Sequence, residues 1–214
     1  MKATFIGDIH GQVEIVESAL SQPGRKIFVG DLVDSFTRTP ADARKCVELV
    51  LAAVEAGEAE VIYGNHELSY LFPRHRCSGY NLATDEFMHE LRPRITAVFK
   101  SHIMLAPDFL VTHAGLTKQI WDDQLLDLDV LDRALSDWWL DMYSPVHWIG
   151  YSRGGRDQCG GTFWCDFKRE FKPVPGLRQV FGHTRGKGIR QVEESYCIDC
   201  LENGPSQFLT LEVP

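Results

Sequence analysis

Three short apolar runs in the first 64 residues, KATFI (2–6), KIFVG (26–30) and EVIYG (60–64), alternate with two stretches of helical periodicity. No other feature constrains the fold as much. In QVEIVESAL (12–20), Val13, Val16 and Leu20 recur at helical spacing, and QPG (22–24) closes the run. In TPADARKCVELVLAAVEAG (39–57), Thr39 suits a cap, Pro40 a first turn and Gly57 a stop, while Ala43, Val47, Val50 and Val54 form one face. A β-α-β-α-β order with short connections predicts a parallel sheet covered by helices. Ligands of such sheets collect beyond the carboxyl ends of the strands.

The remaining chain is less regular. Residues 84–100 read as a helix that contains Pro93, and HIMLAPDFLVTHAG (102–115) as two strands around a Pro107–Asp108 turn. DVLDRALSDWWLDMY (129–143) reads as an amphipathic helix with Leu131, Leu135, Trp138 and Met142 inward. Residues 144–176, rich in Gly, Pro and aromatics, form an irregular insertion, and RQVFGH (178–183), SYCIDC (195–200) and SQFLTLEV (206–213) return to strands. With 214 residues, no linker and no repeats, the expectation is a single domain over 1–214 interrupted at about 144–176.

Polar residues fall where the parallel sheet would place a site. Asp8 and His10 follow the first strand (FIGDIHG, 5–11), and Asp31 and Asp34 the second (GDLVDS, 30–35). Asn65, His66 and Glu67 follow the third (GNHE, 64–67). His113 (THAG, 112–115) and His183 (GHT, 182–184) end two further apolar runs, so four of the eight histidines sit directly after a strand and beside a glycine. One Asp-X-His box is an ordinary turn. Five boxes at successive strand ends make one site. Carboxylate, imidazole and amide oxygen together suit intermediate divalent ions such as Mn²⁺, Fe or Zn²⁺, and the glycines permit the tight turns that let the side chains converge.

The series GDIHG, GDLVDS, GNHE, THAG and GHT resembles the calcineurin-like metallophosphoesterases over roughly residues 3–200, and most closely their phosphoprotein phosphatase branch, which includes the Ser/Thr phosphatases of bacteria and phages. The bacterial symmetrical diadenosine tetraphosphatases are related. The resemblance implies an α/β fold of two mixed β-sheets in a sandwich flanked by helices. It also implies a dinuclear metal site, in which Asp8, His10 and Asp31 would hold one ion and Asp31, Asn65, His113 and His183 the other. His66 would be the general acid, oriented by Asp34, and would bind no metal. The implied chemistry is hydrolysis of phosphate monoesters, of the phosphoserine/phosphothreonine type, by a hydroxide activated between the metals. Manganese is the expected ion, and Fe, Zn, Ni or Co suit the same donors.

The sequence departs from that branch at Ser35 and Phe36, where the second motif ordinarily continues with Arg and Gly. The missing arginine binds the substrate phosphate in the family. Arg38, three residues on, is one candidate to replace its charge. Arg153 and Arg156 in YSRGGRDQCGG (151–161) are candidates for a second phosphate grip, with Arg185 a lesser one. GGTFWCDF (160–167) resembles the aromatic-acid segment that follows the phosphate arginine in the family, where Trp164 and Asp166 would be structural or help shape the pocket. Trp138, Trp139 and Trp148 read as packing residues, and His75, His89, His102 and His147 as surface or packing residues.

Two further functions remain open on the sequence. One is a dinucleoside polyphosphate hydrolase whose insertion at 144–176 holds an adenosine. The other is a non-catalytic phospho-binding module, favoured only by the loss of arginine at position 35. The formal charge of −8 argues against nucleic-acid binding, which needs a basic footprint. No apolar run approaches the ~20 residues of a membrane span, and no leader is read at the N-terminus, so a soluble, cytoplasmic protein acting on a phosphorylated protein or small phosphoester is expected. The six cysteines are scattered and read as packing residues. CIDC (197–200) lies in an expected strand and lacks the second pair that a zinc site requires.

Overall fold

Strands and helices alternate through the first third of the chain as the apolar runs require. The computed structural model describes residues 1–72, 76–123, 127–137, 143–201 and 208–214. The order is β1 (Lys2–Ile6), α1 (Val13–Leu20), β2 (Arg25–Phe28), α2 (Pro40–Glu55), β3 (Glu60–Val61), α3 (Asn65–Leu71), α4 (Leu82–Val98), β4 (Ile103–Ala106) and β5 (Phe109–Val111). Then come α5 (Lys118–Asp123), α6 (Leu128–Ser136), β6 (Arg178–Phe181), β7 (Arg190–Val192), β8 (Ser195–Cys197) and β9 (Leu209–Glu212).

Two mixed sheets result. The first runs β3-β2-β1-β9, with β1, β2 and β3 parallel and β9 antiparallel to β1. The second runs β4-β5-β6-β8-β7, with parallel β5-β6-β8 flanked by antiparallel edges. The period of two along each strand assigns the faces. Phe5, Ile27, Val29 and Ile62 of the first sheet meet Ile103, Phe109, Val111, Val180 and Ile198 of the second, with the Phe5 and Phe109 rings 6.1 Å apart. Their neighbours Ile6, Phe28 and Val61 face the opposite way, into a second core shared with Val16, Val47, Val50, Leu51, Met88 and Leu91 of the helices. The sandwich of two mixed sheets flanked by helices is the architecture the motifs implied.

Local chemistry explains the helix ends. Thr39 and Asp42 form a reciprocal capping box ahead of Pro40, and Gly57 closes α2 at φ +74°. α4 runs unbroken through Pro93, which lies on the exposed face where water can take the carbonyl that a proline leaves unbonded. α6 ends at Ser136 with Leu131 and Leu135 buried, while Trp138, Trp139 and Met142 lie outside the described residues, as does His75. The insertion contains only two short 3-10 turns, Pro145–His147 and Tyr151–Arg153. The expected strand over 195–200 stops at Cys197, and the chain leaves the sheet there. All six cysteines are free and buried. Among the described residues no helix is long and apolar enough to cross a membrane.

Candidate active site

β1, β2, β3, β6 and β8 point their carboxyl ends at one cavity of about 1120 Å³. His10, Asp31, Asp34, Asn65, His66 and His183 line it. The loops are stitched together by backbone bonds. The amides of Ile9 and His10 both donate to the Asp31 carbonyl at 2.9 Å, and the Gly182 amide donates to the His113 carbonyl at 2.7 Å.

Backbone strain marks the same residues. Of five non-glycine residues with positive φ among the described residues, four are His10 (48°), Asp31 (53°), Asp34 (60°) and His183 (66°). Each such conformation costs on the order of 1–3 kcal/mol and concentrates at functional sites. Neighbouring glycines make room for the carboxylates. A Cβ at Gly64 would strike the Asp31 carboxylate, and one at Gly182 would strike that of Asp8.

Asp31, 2% exposed, is the hub. Its Oδ2 lies 3.3 Å from His113 Nε2 and 4.0 Å from the Nε2 atoms of both His10 and His66, and its Oδ1 accepts the His66 amide at 3.0 Å. Two groups of possible metal donors therefore share it, His10–Asp31–His66 and Asp31–His113–His183. Burial opposes ionisation of Asp31, but the surrounding imidazoles of His113, His66 and His10 outweigh it and hold the carboxyl well below its ordinary value.

The histidine tautomers are set by backbone carbonyls. His113 Nδ1 donates to the Val29 carbonyl at 2.8 Å, and His10 Nδ1 donates to those of Asp34 (2.7 Å) and Val33 (3.0 Å). In the neutral ring this leaves an Nε2 lone pair aimed at the Asp31 carboxylate, an arrangement that needs a proton or a cation between the two. Asn65 presents its Oδ1 2.9 Å from His113 Nε2 while its amide nitrogen donates to Cys77 Sγ at 3.0 Å. His183 Nε2 is buried with no hydrogen-bond partner, and burial together with the Arg153 charge keeps its ring neutral. Asp8 lies beside this group rather than in either donor triad. Its oxygens accept the His183 amide at 3.0 and 3.1 Å. Burial and the neighbouring carboxylates of Asp199 and Asp31 push its pKa well up. Crowded buried carboxylates, aimed lone pairs and an orphaned imidazole nitrogen are the donor set of a divalent cation site, so the residues fit such ions.

His66 stands apart chemically. Its Nδ1 donates to Asp34 Oδ2 at 2.8 Å, and the other Asp34 oxygen accepts the Tyr70 hydroxyl. Burial disfavours the imidazolium, but Asp31 and Asp34 more than compensate, and its pKa is pushed up to about 9. His66 Nε2 nevertheless belongs to one donor triad, although the family pattern implies no metal for it.

The arginines divide. Arg153, Arg156 and Arg185 line the cavity. Arg153 is already engaged, donating to Thr184 Oγ1 at 2.8 Å and lying 3.2 Å from Asp166. Arg38 does not reach the cavity, because its guanidinium is paired with Glu14 of α1. His147, read as a surface or packing residue, lines the cavity with Trp164, Phe36 and Arg76.

Three contributors were given no role by the sequence reading. Glu67, fully buried, accepts the amides of Leu32 (2.7 Å), Asp31 (2.9 Å) and Gly64 (2.9 Å), pinning two loops together. Its place at the third position of a helix that opens at Gly64 was the available signal. Asp199 lines the cavity beside Asp8 and helps raise its pKa, an outcome hidden by reading CIDC as a strand. Arg76 comes from a turn that carried no motif.

The sequence profile described as calcineurin-like phosphoesterase matches residues 1–185. The chain belongs to that family. It is thus a metal-dependent phosphoester hydrolase. Among solved structures, a cold-active protein tyrosine phosphatase matches with a TM-score of 0.65 at 18% identity, over 99% of this chain and 73% of that one. The same type of enzyme from a psychrophilic Shewanella species gives 0.62 at 18%, over 99% and 75%. A protein serine/threonine phosphatase from Saccharomyces cerevisiae, with similarity to human phosphatase PP5, gives 0.51 at 16%, over 92% and 66%. At these identities the likeness is one of fold. No curated protein sequence matches.

Proposed function

We propose that this calcineurin-like phosphoesterase is a phosphomonoesterase of the Ser/Thr protein phosphatase type, working through a dinuclear centre shared at Asp31. One observation carries the reading: two donor groups meet on a single buried carboxylate, beside a His66–Asp34 pair placed to deliver a proton. Asp8, His10 and Asp31 would hold one cation, and Asp31, Asn65, His113 and His183 the other. When bound, the two ions supply charge neutralisation for the phosphate and a lowered pKa for water.

The chain's own groups do the rest. Water, giving up one proton to solvent, attacks phosphorus in line; the new P–O bond forms as the bond to the leaving alkoxide breaks, and the proton that His66 donates is replaced from solvent. That alkoxide takes the proton from His66 Nε2. Asp34 holds the ring through Nδ1 and stabilises its charged form, and Tyr70 fixes Asp34 in turn. Burial of the floor keeps bulk water from competing for these contacts.

Phosphoserine and phosphothreonine peptides, with small phosphoesters, are the proposed substrates, acted on with Mn²⁺ in the cytoplasm. Turnover of a phosphopeptide, p-nitrophenyl phosphate and diadenosine tetraphosphate by the Mn²⁺-loaded protein tests this. Faster hydrolysis of the phosphopeptide is the expected result. Preference for the dinucleotide would make the insertion a nucleoside holder. Tight phosphopeptide binding without turnover would make the protein a phospho-binding module.

A further inference from the structure

The floor of the cavity carries Asp31, Asp34 and Asp199, with Asp8 in the field of Asp199 and Asp31, in a chain of net charge −8. A phosphate dianion entering there needs guanidinium groups that are free to take it. The arginines near the cavity differ in what already holds them. Arg38 is spent on Glu14, Arg153 on Asp166 and Thr184, and Arg185 lies in the field of Asp199. Arg76 and Arg156 line the cavity and have no carboxylate partner among the described residues.

These two are not equivalent. Arg156 is exposed and follows Gly154 and Gly155, and its side chain makes no ion pair or hydrogen bond among the described residues. Arg76 is held. Its guanidinium carbon lies 4.4 Å from the centre of the Tyr80 ring. Tyr80 stacks on Tyr70 at 4.8 Å with a 16° interplanar angle, and the Tyr70 hydroxyl donates to Asp34. The turn that carries Arg76 is anchored on the floor at two further points. Cys77 Sγ and Asn65 exchange hydrogen bonds of 3.0 and 3.2 Å, and a Cβ at Gly79 would lie 3.2 Å from the Asp34 Cβ. A guanidinium whose freedom is already restricted loses less on binding an anion.

We propose that Arg76 grips the phosphoryl oxygens of the substrate. The proposal rests on the reading of this cavity as a phosphoester site. The ladder Arg76–Tyr80–Tyr70–Asp34–His66 then fixes the anion-binding group and the proton donor against one frame.

The test uses Mn²⁺-loaded protein, with inorganic phosphate as the probe in two measurements: competition with p-nitrophenyl phosphate, and calorimetric binding. Arg76→Ala should weaken phosphate about 10- to 100-fold and raise KM, with manganese content and melting temperature close to wild type. Arg76→Lys should recover part of the loss, because it restores charge without the fork. Arg156→Ala should weaken phosphate less than Arg76→Ala. Equal phosphate affinity in Arg76→Ala and wild type, or a larger loss in Arg156→Ala, overturns the inference while the phosphoesterase reading stands. A wild-type protein that turns over nothing with any divalent ion overturns that reading, and the inference with it.

Discussion

At the cavity floor, Asp31 is 2% exposed and its carboxylate is boxed in by three imidazoles and a glycine that leaves no room for a Cβ. At the rim, Arg76 and Arg156 are exposed and Phe36 is 78% exposed, on a turn, an insertion and a loop. The floor is over-determined: left-handed backbone at His10, Asp31, Asp34 and His183 persists because several loops hold each residue in place. The rim is loosely determined and can be rebuilt without touching the sheets. The reaction class therefore resides in the floor and the choice of substrate in the rim. Changes at the floor should abolish chemistry, and changes at the rim should alter affinity.

The largest effect is expected from Asp31→Asn. The shared carboxylate serves both donor groups, so manganese content measured by elemental analysis should fall and turnover should drop on the order of 10³-fold or more. Retention of two ions with normal turnover would show that Asp31 is not the hub.

His66→Asn comes next, with an expected loss of about 10²- to 10⁴-fold in kcat and unchanged manganese content. The loss should be greatest for poor leaving groups, which most need a proton. A parallel fall in metal content would instead assign His66 to the donor triad in which its Nε2 stands. The same residue predicts a pH dependence in the metal-free protein. Its pKa is raised on folding, from 6.5 to about 9, so its contribution to stability is complete below about 6.5 and fades as pH rises through 9. Urea unfolding between those limits should show a steeper decline in wild type than in His66→Asn, which keeps the contribution of His113, whose pKa is also raised.

How legible each region was in the sequence follows from the same difference. The floor could be read because each proposed ligand stands two to four residues after a strand end and within two residues of a glycine, so short-range sequence carries its geometry. Glu67 was legible in principle as a helix-opening acid, whereas Asp199 was not, since nothing in SYCIDC says that the strand ends at Cys197. The pairing of Arg38 was not legible because its partner, Glu14, comes from another helix. Arg76 was missed because its place depends on Tyr70, Tyr80 and Asp34 meeting in space. In the fold, β1, β2, α2 and the β4–β5 pair were clear from periodicity. α3, α5 and β7 were not, having too few residues to display a period.

Within the rim, Arg156→Ala should raise KM only a few-fold, with kcat unchanged and the effect shrinking as salt rises from 0.05 to 0.5 M. An unanchored cation contributes long-range attraction, which counter-ions screen. A salt-independent loss would mean that Arg156 makes a fixed contact with the substrate.

The smallest effect is expected at Arg38, which separates proximity in sequence from a place in the site. Arg38 lies four residues from Asp34, yet its guanidinium lies against Glu14, and both side chains are well exposed. Exposed pairs of this kind contribute about 0–1 kcal/mol. Arg38→Ala should therefore leave KM, kcat and phosphate affinity at wild-type values and shift the melting temperature by no more than a few degrees. If KM rose as it should for Arg76→Ala, the 35–39 loop would have to swing its arginine off Glu14 and into the cavity during turnover, and the rim would extend to a residue that now lies against Glu14.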